Sequence, residues 1–290
     1  MPARGTTFLR RTGSSKSRRK APVGGRRTDA GTEIAGKFLV TGADSGLGRF
    51  LGEALSTYSI TRNTSEAEFR KLGRMTWSGI LHCAFNNKRP LFDGDLYGYY
   101  ADNIELTRRL MSYRCRKFIY VSSVDVYPEE EYTGENIAIA MDSVKGIYAF
   151  TKLINEAMIR KEHKNHLILR ASAMLGPYSK DNSLIRIARE RRSKLTLSGS
   201  STFNYVLHTD VLAFIQCALK LDLSGTFNIA ASDNINLKDV AELLGRRVRF
   251  GSHVYRTNRI ENSKAAAVCD VFKNTSGDNI ARFLRERGAE

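Results

Sequence analysis

From Lys37 onward, short apolar runs alternate with stretches of helical periodicity. Phe38-Leu39-Val40 is a strand-length apolar run, and Leu47, Phe50, Leu51, Ala54 and Leu55 recur behind it on one face of a helix. The segment therefore predicts a strand, a glycine-rich turn and a helix. Ser59-Ile60-Thr61 predicts a second, weaker strand, and Ser65 with Glu68 forms a capping box for a helix through Leu72. A third strand is expected over Gly79-Ile80-Leu81-His82-Cys83-Ala84-Phe85, then a helix from Asn103 to Tyr113 and a strand at Lys117-Phe118-Ile119-Tyr120-Val121. A helix from Ile147 to Lys161 and a strand at Leu167-Ile168-Leu169 follow, and beyond Pro177 the pattern is irregular and more polar. This alternation predicts an α/β fold with a Rossmann-like, doubly wound parallel sheet covered on both faces.

Residues 1–34 lack apolar periodicity and are rich in Arg, Gly, Ser and Thr, a composition that cannot bury enough surface to offset its ordering entropy. They are expected to be a disordered basic tail. The chain carries 46 basic and 30 acidic residues, a net charge of +16. Nine of the basic residues (Arg4, Arg10, Arg11, Lys16, Arg18, Arg19, Lys20, Arg26 and Arg27) lie in residues 1–28, which hold no acid, so the remainder carries +7. Charge alone therefore does not argue for nucleic-acid binding by the folded body, and a nucleic-acid partner is not expected. The tail reads as inert and solvated, with an organellar targeting peptide or a polyanion contact as alternatives.

With 290 residues and 42% apolar content, the chain is large enough to fold without disulfide support. The longest apolar run, Val211 to Leu219, is broken by Gln216 and fits a buried helix, so no membrane-spanning enzyme is expected. Cys83, Cys115, Cys217 and Cys269 show neither Cys-x-x-Cys nor His at ligand spacing, which argues against a disulfide framework and a metal site and for a reducing, cytoplasmic setting.

Three groups of residues carry chemistry. Thr41-Gly42-Ala43-Asp44-Ser45-Gly46-Leu47-Gly48 stands between a strand and a helix, where glycines let the backbone approach a pyrophosphate and the helix N-terminus stabilises it. Tyr148 and Lys152 are four apart on a helix, so phenol and ammonium share one face, and a cation there favours the phenolate needed for proton exchange during hydride transfer. Ser122-Ser123-Val124-Asp125-Val126-Tyr127 follows a strand, at the edge where ligands bind in doubly wound sheets, so Ser123 is placed to hydrogen-bond a reacting oxygen. Each group alone has a plain structural reading as a tight turn, a helix face or a strand-ending turn.

Taken in order, these residues resemble the extended short-chain dehydrogenase/reductases, the NAD-dependent epimerase/dehydratase family that includes UDP-galactose 4-epimerase. The resemblance spans residues 37–275. It rests also on Ile80-Leu81-His82-Cys83-Ala84, Tyr99-Tyr100-Ala101-Asp102-Asn103, Phe118 to Ser123, Leu169-Arg170 with Gly176-Pro177, Asn204-Tyr205-Val206 with Asp210-Val211, and Asn262-Ser263-Lys264-Ala265. It implies an epimerase or reductase that uses NAD or NADP at a carbon of a sugar or nucleotide sugar. Tyr148 would be the acid/base, Lys152 would lower its pKa and hold the nicotinamide ribose, and Ser123 would bind the substrate oxygen. Gly42, Asp44, Ser45, Gly46, Leu47, Gly48, Arg62, Ala84 and Asn103 would join Tyr148 and Lys152 around the cofactor. Ser123, Asp125, Ala173, Arg256 and Arg259 would face the substrate, with Arg186 a further candidate cation. The cofactor domain would span 35–177, with 205–232 returning to it, and 178–204 with 233–290 would bind substrate. A homodimer is implied through the helix of Tyr148, where Ile154, Met158 and Ile159 serve a partner helix or the core equally well.

The chain departs from the family in four places. Ser45 stands where the extended branch has its middle glycine. Too few residues separate Ser59-Ile60-Thr61 from Ile80 for the usual next strand, so the sheet is expected to be abridged, as in compact sugar-nucleotide reductases. Arg62 replaces the acid that accepts from the adenosine ribose; a guanidinium would pair with a 2′-phosphate, although a solvated loop residue is the other reading. Ala173 and Phe203 replace an Asn and an Arg that hold the nucleotide diphosphate in relatives. Val124 and Asp125 occupy the places of a dehydratase's acid and base, which disfavours that subtype. His82 and His208 read as core or supporting residues. A cofactor-binding, non-catalytic or redox-sensing module whose basic tail contacts a polyanion is the alternative function.

Overall fold

A computed structural model describes residues 36–128, 132–144 and 146–288; the basic tail lies outside the described residues. Six strands form the central sheet: β1 (Phe38–Thr41), β2 (Tyr58–Ile60), β3 (Gly79–His82), β4 (Phe118–Ser123), β5 (His166–Ala171) and β6 (Gly225–Ile229). Their spatial order is β6-β5-β4-β3-β1-β2, and every pairing is parallel. Parallel strands covered by helices on both faces need apolar side chains on both sides, and β4 is buried at all six positions.

Successive side chains alternate between the faces. Val40, Leu81, Ile119 and Leu169 pack against Leu47 and Leu51 of α1 (Gly46–Ala54) on one side. Leu39, Ile80, Tyr120 and Ile168 pack against Leu72, Trp77 and Leu110 on the other. Ser65 accepts from the backbone N–H of Glu68 and so caps α2 (Glu66–Gly73), as the sequence predicts. The chain then pairs Thr76–Trp77 with Arg114–Cys115 outside the central sheet. β2 is consequently the edge strand, and the expected abridgement is present.

Two boundaries differ from expectation. The third strand ends at His82, because the Ala84 N–H donates to the Thr41 hydroxyl (3.1 Å) and leaves the ladder. The helix expected from Asn103 begins at Leu96: α3 covers 96–111 and widens to a π-turn over Ala101–Glu105. The Asn103 carbonyl accepts from Thr107 Oγ1 (2.6 Å) and Asn155 Nδ2 (3.0 Å), which competes with the ordinary helical bond and favours the wider turn.

The helix bearing Tyr148, α4 (Gly146–Glu162), lies against β4, and Ile159 is fully buried in the core, so it is unavailable to a partner helix. Further on come α5 (Ser183–Arg189), α6 (His208–Lys220), α7 (Leu237–Leu243) and α8 (Ser276–Gly288). Leu184, Ile187, Leu207, Val240 and Phe283 build a separate apolar cluster among α5, α7 and α8. Packing of Phe214 edge-on to Phe272 (5.7 Å) brings Cys217 and Cys269, distant in sequence, into side-chain contact. Among the described residues, no helix is long and apolar enough to cross a membrane.

Candidate functional site

The register aligns the carboxyl ends of the inner strands. Thr41 stands opposite His82, and Ser123 opposite Ala171. The loops after β1, β3 and β4 therefore open at one edge, where the strand order reverses and a crevice forms. A cleft of 1360 Å³ occupies this edge, lined by Gly42, Asp44, Ser45, Gly46, Leu47, Gly48, Arg62, Ala84, Phe85, Val121, Ala173 and His208, among others.

Glycine is required at two positions of the loop. Gly42 has φ +71° and a Cβ there would lie 2.9 Å from the Ala84 backbone, while a Cβ on Gly48 would lie 2.4 Å from the Gly42 carbonyl oxygen. The helix α1 can start hard against the loop only without those side chains. Ser45 leads into α1 without capping it through its hydroxyl, and the Gly46 N–H donates to the Tyr178 carbonyl (3.0 Å). Asp44 accepts from the Arg62 backbone N–H (2.9 Å), tying the loop to the end of β2 and leaving the exposed Arg62 guanidinium at the mouth of the cleft. This end of the cleft fits the pyrophosphate and adenosine of a dinucleotide: close-approach backbone, helix N-terminus and a cation.

Tyr148 and Lys152 lie behind Phe85, with Ser123 beside Tyr148. Ser123 ends β4 and accepts from the Asp125 N–H (3.1 Å). Lys152 is 3% exposed and donates to the Val121 carbonyl (2.7 Å). The Phe85 ring sits 4.0 Å from Lys152 Nζ and edge-on to Tyr148 at 5.1 Å, so Ser123, Tyr148 and Lys152 do not themselves line the cleft. Arg89 lies over the other aromatic partner, 5.0 Å from the Tyr148 ring centre.

Electrostatics here corrects one expectation. Lys152 stands 5.9 Å from the Tyr148 ring centre, yet the phenol is not depressed: burial pushes it up to about 12, Asp125 adds to the rise, and Ser123 and Arg89 oppose it. Burial also takes Lys152 down to about 7. Desolvation disfavours both charged forms. Tyr148 is thus a neutral phenol at neutral pH.

Other expected residues take different parts. Asn103 does not line the cleft; its side chain accepts from the Asn86 N–H (2.7 Å) and donates to the Asn86 carbonyl (3.1 Å), so it shapes the loop after β3. Arg256 and Arg259 are exposed and do not line the cleft, Arg259 pairing as a short strand with Tyr132–Thr133, while Ala173 is on its wall. His82 is held between Thr41 (2.8 Å) and Thr107 (2.9 Å), with burial lowering it to about 3; His208 lines the cleft and burial lowers it to about 4.

Sequence reading missed Phe85, Arg89 and Tyr255. Tyr255 donates to Asp125 (2.8 Å) and stacks on Phe203 at 4.9 Å, which in turn stacks on Tyr205 at 5.7 Å. Asp125 thereby joins the loop after β4 to an aromatic wall built by the C-terminal region. Nothing local in the sequence marks Tyr255, because its contact spans 130 positions.

Comparison with known proteins agrees with this architecture. A profile of the NAD dependent epimerase/dehydratase family matches residues 38–230. No curated protein matches the chain. Among solved structures, UDP-glucuronic acid 4-epimerase from Bacillus cereus, in complex with UDP-glucuronic acid and NAD, is similar at a TM-score of 0.66 and 19% identity, covering 87% of this chain and 99% of that one. A dTDP-4-dehydrorhamnose reductase from Bacillus anthracis, in complex with NADP, is similar at a TM-score of 0.70 and 17% identity, covering 87% and 100%. With the profile match spanning two thirds of its length and the glycine loop, Ser123, Tyr148 and Lys152 at one sheet edge, the chain belongs to the NAD-dependent epimerase/dehydratase family.

Proposed function

We propose that the protein is an NAD(P)-dependent epimerase or reductase acting by hydride transfer at a carbon of a sugar or nucleotide sugar. The observation that carries this reading is the convergence of Ser123, Tyr148 and Lys152 at the carboxyl end of β4, one residue layer behind a glycine-lined cleft. Bound NAD(P) would supply the hydride acceptor or donor. Gly42, Ser45 and the first turn of α1 hold its pyrophosphate, and Arg62 favours the form with a 2′-phosphate. Ser123 hydrogen-bonds the reacting oxygen. Tyr148 gives the proton to that oxygen in reduction and takes it back in oxidation, a shuttle suited to a phenol kept neutral by burial. Lys152 is anchored on the Val121 carbonyl, 5.9 Å from the Tyr148 ring centre, where it would hold the nicotinamide ribose.

The region 178–204 with 233–290 closes over the substrate, Asp125 and Tyr255 meeting its hydroxyl groups beside the wall of Phe203 and Tyr205. A second reading, a cofactor-binding module without turnover, draws on the Phe85 ring that covers Lys152. Tyr148→Phe separates the two. Under the enzymatic reading it lowers turnover of a 4-keto nucleotide sugar with NADPH by about 10²- to 10⁴-fold and leaves NADPH affinity, measured by calorimetry, nearly unchanged. Wild-type protein that binds NADPH and turns over no keto or hydroxy sugar nucleotide would instead establish the module.

A further inference from the structure

Outside the lining of the cleft, two short strands meet in parallel. Arg192–Lys194 pairs with Arg247–Arg249, and the register places Arg192 opposite Arg247, Ser193 opposite Val248 and Lys194 opposite Arg249. Alternation turns Ser193 and Val248 inward, where Ser193 is buried and Val248 packs on the cluster of α5, α7 and α8. Arg192, Lys194, Arg247 and Arg249 all point outward and are exposed. Four cations thus form a two-by-two array, with like charges directly opposite each other across both rungs.

Like charges placed directly opposite on neighbouring strands destabilise the pairing. Elsewhere on this surface, many cations are offset by acids: Arg49 by Glu53, Lys88 by Asp95, Arg109 by Glu66 and Arg189 by Asp181. No carboxylate lies within ion-pair distance of any of the four cations of the array among the described residues. The nearest acids in sequence are engaged with other partners, Glu190 with Arg186 and Arg189, and Glu242 with Lys238. The fold therefore accepts a repulsive arrangement that an external anion would relieve.

We propose that this basic ladder binds the phosphodiester backbone of a nucleic-acid strand, independently of base sequence. Along each strand the cations repeat at about 6.6 Å, and the two columns stand about 4.8 Å apart. A single nucleic-acid strand carries one negative charge per nucleotide at a comparable repeat, so each phosphate laid along the array meets a pair of cations. The site is separate from the cofactor cleft, and the proposal does not depend on the enzymatic reading. It also differs from the N-terminal tail, whose charge belongs to another part of the chain.

The test uses the full-length chain and a fluorescein-labelled oligouridine RNA of about 20 nucleotides, with anisotropy followed over about 0.05 to 0.2 M KCl. One variant carries Arg192→Gln, Lys194→Gln, Arg247→Gln and Arg249→Gln. A control of equal charge change carries Lys71→Gln, Lys161→Gln, Lys164→Gln and Lys220→Gln, all exposed positions away from the array. The array variant should bind at least tenfold more weakly than the control. Its slope of log K against log salt should shrink by about 1.4, from roughly 0.7 per phosphate contact over two contacts. If the fourfold variant melts below the control by circular dichroism, the doubles Arg192→Gln/Arg247→Gln and Lys194→Gln/Arg249→Gln replace it, each expected to remove about half of that slope. Equal losses in array and control variants, or no RNA binding by the wild type, would overturn the proposal. So would an array variant that loses binding to phosphatidylserine vesicles while keeping RNA affinity.

Discussion

Phe85 decides how much of Lys152 the cleft sees. Its ring face lies 4.0 Å from the ammonium, a contact worth about 2 kcal/mol when desolvated. A ligand that reaches Lys152 must displace that contact, so Phe85→Ala should tighten NADPH binding by about tenfold in a calorimetric titration; weaker binding would mean that the ring serves the ligand. Arg62 acts at the opposite end. Its guanidinium is exposed at the cleft mouth, and its backbone is fixed by Asp44, so truncation alters charge without releasing the loop. Arg62→Ala should therefore lower affinity for NADPH by about tenfold while changing NADH little, the difference expected from one charge-assisted hydrogen bond to a 2′-phosphate.

Helix α4 carries Tyr148, Lys152 and Glu156 at four-residue spacing, so one face delivers all of them to the end and body of β4. Glu156 anchors the register of that face. Its carboxylate accepts from Ser122 (2.6 Å), from Arg170 at 3.1 and 2.8 Å, and from Arg160 (3.0 Å), and it is completely buried. These partners, Arg170 first, hold its pKa below the ordinary value against the opposing effect of burial. Glu156→Gln leaves Arg170 buried without its counter-charge and should cost about 3–5 kcal/mol in urea denaturation. Since Glu156 lies one turn beyond Lys152, the same variant also tests how firmly α4 is seated. The π-turn of α3 belongs to this scale too, because Asn155 of α4 donates to the Asn103 carbonyl and couples the two helices.

For the whole molecule, buried bases set the pH dependence of stability. His82 titrates at about 3 in the fold and near 6.5 when exposed, so between those values the unfolded chain binds more protons and stability falls as pH falls. Lys152 follows the same sign higher up: folded at about 7 and ordinarily at 10.5, it makes stability rise with pH above 7. Above about 9 the raised thiol of Cys83, at about 12, offsets that rise, because the unfolded chain then loses its proton first. Unfolding free energy should therefore climb between pH 7 and 9 by at most about 1.4 kcal/mol per pH unit, and Lys152→Met should flatten that climb in denaturation curves at pH 7, 8 and 9.

Local patterning determined much of this protein. The strand-loop-helix unit at Phe38–Ala54, the capping box at Ser65 and Glu68, the abridged sheet and the four-residue spacing of Tyr148 and Lys152 all depend on neighbours within a few positions, where side-chain period and backbone chemistry act directly. Tertiary structure alone decided what depends on distance through space. Phe85 over Lys152, Tyr255 on Asp125, the diversion of Asn103 to Asn86 and the ladder of Arg192 and Lys194 beside Arg247 and Arg249 join residues that no local period connects. The upward shift of Tyr148 is of the same kind: spacing to Lys152 implied a lowered pKa, but desolvation depends on everything packed around the phenol, and only the folded chain sets how much water remains there.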